Sequence, residues 1–173
     1  MKLSIMKLKL LLILGLLGII LGMLSCRNNK SSNKESESST YSLIAKQITI
    51  SQLDKELELL KEGKTEFDFI GITSNGIDCI YFMKCEDKFN IGFEAMTEEQ
   101  VLFIDKLKEY AKNKGFQHKM ATYGNKPHYQ SVKEAPVIVI ETNTILSETA
   151  KLGEEIENII FGNNIETRYD VVP

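Results

Sequence analysis

Residues 41–173 of this chain predict an α+β fold, a single domain in which a mainly antiparallel sheet of about six strands is packed by three helices. Three observations carry this. Phe67–Thr73, Ile77–Met83 and Phe89–Glu94 are consecutive strand-like runs, two of them apolar at nearly every residue, and a run apolar on both faces belongs inside a sheet. The first two are joined by Ser74-Asn75-Gly76, and Asn-Gly between apolar runs marks a hairpin because both residues accept positive φ. The remaining segments alternate helical periodicity with β-branched runs, which sets the order α-β-β-β-α-β-β-α-β with no internal repeat.

Taken in order, an entry segment with Leu43, Ile44 and Ile48 precedes Ser51, which with Asp54 forms a capping-box pattern. Leu53, Leu57 and Leu60 share one face of the helix that follows, and Gly63 ends it. After the three strands, Thr97-Glu98-Glu99-Gln100 repeats the capping pattern at the head of the longest helix. Val101, Phe103, Ile104, Leu107, Tyr110 and Ala111 cover one half of that helix, leaving Leu102 among the polar residues. Gly115 closes it. Phe116–Tyr123 reads as a strand with one wet face, and Pro136–Thr142 as a β-branched strand suited to a central position, with proline tolerated at its start. Leu146–Phe161 places Leu152, Ile156, Ile159 and Ile160 along one arc of a third helix, stopped by Gly162-Asn163-Asn164. Ile165–Val172 is expected to pair into the sheet, with Arg168, Tyr169 and Asp170 on its solvated side.

The first forty residues are of another kind. Three lysines are followed by Leu10–Gly22, an uncharged apolar run of thirteen residues, too short to span a bilayer comfortably and of the length of a signal-peptide core. Met23-Leu24-Ser25-Cys26 follows. This stretch resembles the lipobox of bacterial lipoproteins, with Met23 standing where leucine is commonest. The resemblance implies a signal peptide over residues 1–25, cleavage before Cys26, and acylation of Cys26 on sulfur and on its new amino terminus. Two or three acyl chains make a stable anchor at about 0.8 kcal/mol per buried CH2. The same resemblance implies a place in the cell envelope, lipid-anchored to the cell membrane or outer membrane, with the globular domain outside the cytoplasm. The run Arg27-Asn28-Asn29 carries neither the inner-membrane retention aspartate nor the acidic export cluster of such proteins, which leans toward the periplasmic face of the outer membrane. Residues 26–40 contain no apolar side chain beyond Cys26 and read as a solvated tether.

Without the three leader lysines the chain has 18 basic residues against 24 acidic ones, which argues against nucleic acid as a partner. Cys79 and Cys85 are six apart. On one continuous strand they would lie about 20 Å from each other, so a disulfide requires a turn within Lys84–Lys88, and otherwise both remain thiols. His118 and His128 have no zinc-ligand spacing, so no metal and no cofactor is expected. No Gly-x-Ser-x-Gly is present, and Glu98 and Glu99 repel anions from the start of the longest helix. The loop Thr122–Gln130 gathers Tyr123, Asn125, Lys126, His128 and Tyr129, and tyrosines with a polar handle on a loop commonly build contact surfaces.

The resulting expectation is a membrane-anchored, non-enzymatic protein-binding module, such as an inhibitor or toxin-immunity protein, that meets its partner through this loop. The alternatives are an envelope hydrolase using His118 or His128 with Glu94 or Glu141, and a structural or assembly lipoprotein.

Overall fold

The computed structural model describes residues 46–172. Cys26, the leader, the tether, Leu43 and Ile44 lie outside the described residues. Seven strands form one sheet: β1 Lys46–Thr49, β2 Phe69–Thr73, β3 Ile80–Cys85, β4 Lys88–Glu94, β5 Gln117–Ala121, β6 Val137–Thr144 and β7 Arg168–Val172. The helices are α1 Leu53–Lys61, α2 Glu98–Lys114 and α3 Leu146–Ile159. The sheet order is β1-β7-β2-β3-β4-β6-β5, and every neighbouring pair is antiparallel. The expected α+β architecture is therefore present, with one strand more than expected. The addition, β1, comes from the entry segment around Ile48.

The double-sided apolar strands lie at the middle of the sheet, as their composition requires. Ile72, Ile80, Phe82, Ile91, Phe93, Ile138 and Tyr169 face the helices and are buried with Leu53, Leu57, Leu107 and Ile156 from above. Each such side chain contributes roughly 1.5–3 kcal/mol by leaving water. Helix and sheet approach closely at Gly153 in α3, where a Cβ would lie 2.8 Å from Phe82 Cζ and 2.9 Å from Leu53 Cδ2. Gly153→Ala gains about 1 kcal/mol of helix propensity, yet overpacking a rigid core commonly costs 1–3 kcal/mol, so a net loss of about 1 kcal/mol is expected in urea unfolding.

Local signals met the structure unevenly. Thr97 Oγ1 accepts from Gln100 N–H while Gln100 Oε1 accepts from Thr97 N–H at 2.9 Å, and Gly115 closes α2 at φ 77°. Leu102 is exposed, as its place on the polar half predicts, but Val101, at 37%, is partly exposed too. The Ser51–Asp54 capping box does not form. Ser51 sits inside a 3-10 turn over Ile50–Gln52, and the cap is Thr49, whose N–H donates to Gln52 Oε1 at 3.0 Å. The β2–β3 connection is six residues rather than a tight Asn-Gly turn, because Asp78 folds back into it and delays β3 until Ile80. In α3, Ile159 points to solvent and Glu157 takes a buried position on the core side. Tyr169 is likewise fully buried, not solvated, because β7 inserts between β1 and β2 and pairs Tyr169 with Ile48 on the helix-covered face.

Candidate functional site

Helices cover one face of the sheet, and the other face holds a groove. Its floor follows from strand register: Gly71 of β2, Tyr81 of β3 and Gly92 of β4 stand in one cross-strand row. A Cβ at Gly71 would come within 2.7 Å of Val172 Cγ2, and one at Gly92 within 3.0 Å of Met83 Cε. Tyr81 and Met83 therefore lie over bare backbone, the close approach that glycine within a strand permits. Phe69 meets Tyr81 edge to face, with centroids 5.9 Å apart, and Phe67 stacks on Phe69 at 5.4 Å.

The 122–136 loop closes one side. It is held by His128 N–H donating to Met96 O at 2.8 Å, Ala135 N–H to Asn125 O at 2.8 Å and the Tyr129 hydroxyl to Ala95 O at 3.2 Å. These bonds carry Tyr123 over Met83, with the hydroxyl 3.6 Å from its sulfur, and aim Asn125 at Glu94. The Asn125 amide donates to both Glu94 oxygens at 3.0 and 3.1 Å. The enclosed volume is about 480 Å3, lined by Phe69, Tyr81, Met83, Glu94, Tyr123 and Asn125.

Glu94 is 7% exposed, and the Asn125 amide is its hydrogen-bond donor among the described residues. A carboxylate has about four lone-pair positions, so accepting capacity remains for an incoming donor. Burial pushes the Cys79 thiol up to about 11, opposed by a hydrogen bond with Tyr81 and reinforced by the charges of Asp78, Glu157 and Glu94. Burial likewise raises the Tyr81 phenol above its ordinary value, with Cys79 and Glu94 adding to the rise. Both groups stay protonated at neutral pH, so neither supplies an activated nucleophile.

The loop residues singled out in the sequence divide. Tyr123 and Asn125 line the groove. Lys126 is exposed and lines none of the described pockets, while His128 and Tyr129 border a separate, shallower depression with Glu98. Phe69, Tyr81 and Met83 were missed as site residues. Their signal was alternation on β2 and β3 beside a glycine on each flanking strand, masked because both faces of these strands are apolar. His118 pairs with Ile140 on the helix-side face, whereas Glu94 and Glu141 point to the other, so the sheet does not place this histidine beside either carboxylate. Cys79 and Cys85 are both free thiols, since β3 runs on to Cys85 and the turn comes only at Glu86-Asp87. Among the described residues no group of three or more His, Cys, Asp or Glu side chains is gathered for a metal ion, and no helix is long and apolar enough to cross a membrane.

The chain matches no protein-family model, no curated protein and no solved structure. A functional reading therefore rests on the groove and the leader.

Proposed function

We propose that this chain is a lipid-anchored binding protein of the bacterial envelope, non-enzymatic, that captures another protein by seating one of its side chains in the open-face groove. The groove itself carries the reading: half-buried aromatic and methionine side chains surround a slot that ends at a carboxyl with spare accepting capacity. Rigid aromatics and an adaptable methionine lose little freedom on contact, and such residues dominate protein interfaces. The occupant that fits is an apolar stem ending in a hydrogen-bond donor, on a partner whose basic surface complements 24 acidic against 18 basic residues in the chain without its leader. Lipidation at Cys26 supplies the membrane attachment, and acid-labile or alkali-labile incorporation of labelled palmitate, lost in Cys26→Ser, tests it directly.

The groove is tested with a photo-reactive phenylalanine at position 123 of the full chain in its own membrane. A discrete adduct with one protein is expected, absent when the probe stands at Leu102 on the far side of α2. Gly92→Ala should reduce that adduct severalfold at little cost in stability, because the added methyl meets only the flexible end of Met83. Equal labelling from positions 102 and 123 would remove the groove from the function.

A further inference from the structure

A second concavity lies on the helix side, between the end of α3, the 163–165 turn and β7. It encloses about 490 Å3. Two polar atoms at its base are fully buried and make no well-formed hydrogen bond among the described residues: Glu157 Oε1 and the Tyr169 hydroxyl, which interact with each other only weakly. Glu157 is 1% exposed and Tyr169 0%, and both line the pocket. Leaving a buried polar atom unpaired costs about 1–3 kcal/mol, and the great majority of buried polar atoms have a partner. The other Glu157 oxygen is occupied, accepting from Asn163 Nδ2 at 2.8 Å, and the same nitrogen donates to Asp78 Oδ2 at 2.7 Å.

The pocket has a definite polarity. Glu154 and Glu155 stand on its rim, Glu155 paired with Lys114 of α2, and Asp78 lies behind its floor; no lysine or arginine among the described residues lines the pocket itself. Ile159 and Ile165, each about two-thirds exposed, flank its mouth, and Ile50 closes one wall. An anion is excluded by these carboxyls, and a purely apolar ligand would leave the two buried oxygens unpaired. From this geometry we infer that the pocket binds an alkylammonium group, its apolar stem lying between Ile159 and Ile165 and its N–H donors reaching Glu157 Oε1 and the Tyr169 oxygen. The ammonium is carried either by a lysine side chain of a partner or by a free amine.

Binding is coupled to a proton. The titratable groups coupled to Glu157 are Asp78 and Cys79 from the β2–β3 segment and Tyr169 from β7, while Glu154 and Glu155 of its own helix share the pocket, Glu155 directed at Tyr110 and Lys114 of α2. Burial raises the Glu157 carboxyl to about 8; the hydrogen bond from Asn163 opposes this, the Asp78 charge adds to it and a weak hydrogen bond from Tyr169 opposes it. The Glu157 carboxyl is thus neutral at pH 7, and seating a cation on Oε1 releases its proton to solvent.

The test is a titration of the full chain, its glutamate carboxyls 13C-labelled, with n-butylammonium and separately with Nα-acetyl-lysine methylamide. The Glu157 carboxyl resonance should move to its ionised position at pH 7. Apparent affinity should rise close to tenfold per pH unit between pH 6 and 7, since only the carboxylate form binds. Glu157→Gln should abolish the pH dependence and weaken binding at least tenfold. If that variant does not fold, Tyr169→Phe, which deletes one oxygen, should weaken binding severalfold while Glu157 still ionises. Equal or tighter binding of the lysine derivative assigns the pocket to a protein side chain, and binding of butylammonium alone assigns it to a free amine. No response to either probe, or binding of n-butanol as tight as that of butylammonium, overturns the inference.

Discussion

Asp78→Ala is expected to lower the unfolding free energy by about 3–5 kcal/mol, the loss of several hydrogen bonds to one buried carboxylate at roughly 1–3 kcal/mol for each donor left unpaired. Asp78 is 1% exposed yet charged. Burial would raise its carboxyl, but donors from Ser74, Thr73 and Asn163 outweigh that effect and hold it below the ordinary 3.8. Its oxygens accept from Thr73 Oγ1 at 2.7 Å, Ser74 N–H at 2.8 Å, Ser74 Oγ at 2.5 Å and Asn163 Nδ2 at 2.7 Å. The first three shape the β2–β3 loop, and the fourth ties that loop to the turn after α3. Alanine removes the acceptor from these donors and from Asn75 N–H at 3.3 Å, with only Asn163 Nδ2 keeping another in Glu157, at roughly 1–3 kcal/mol for each donor that stays unpaired. Asp78→Asn keeps one oxygen and should lose about half as much. Urea midpoints for the two variants measure this, and a loss below 1 kcal/mol for alanine would mean that the loop is organised by its glycine and asparagine alone.

The second large effect is on pH dependence, and it runs opposite to that of ordinary carboxylates. The native Glu157 carboxyl titrates at about 8, against 4.5 for an unperturbed glutamate. Between those values the folded protein holds a proton that the unfolded chain has already released, so stability is complete below pH 4.5 and falls as pH rises to 8. At 1.36 kcal/mol per unit the total is on the order of 5 kcal/mol. Asp78 acts in the other window: its depressed value makes stability fall only as pH drops below 4. Together they place their combined maximum near pH 4, more acidic than is usual. Denaturation at pH 5 and pH 8 should differ by several kcal/mol in the native sequence and by little in Glu157→Gln, which is neutral at both. A native protein equally stable at the two pH values would show that the site rehydrates when Glu157 ionises.

These two carboxyls mark where reading along the chain stops being informative. The cap at Thr97, the left-handed glycine at Gly115 and the central placing of Ile80–Met83 follow from neighbours a few residues apart or from a periodicity of two. The same local reasoning misassigned the cap at Ser51, where Gln52 reaches Thr49 first, and set Tyr169 in solvent. An arginine and an aspartate flank Tyr169, and nothing nearby reveals that β7 enters the sheet between β1 and β2. Glu157 was passed over because an acidic residue between Ile156 and Ile159 resembles the wet edge of a helix. Of the candidate site, Tyr123 and Asn125 were legible as loop residues with polar handles. Their companions Phe69, Tyr81 and Met83 were hidden among strands apolar on both faces.

By itself the sequence determined the α+β class, both ends of α2, the central place of the β2–β3–β4 strands and the acidic balance, because propensity, capping and burial periodicity act over a few residues. Tertiary structure alone decided that Asn125 meets Glu94 across 31 residues and Asn163 meets Asp78 across 85. A buried polar group takes whichever partner the packing of distant elements brings within 3 Å or so of it, and no local pattern encodes that meeting.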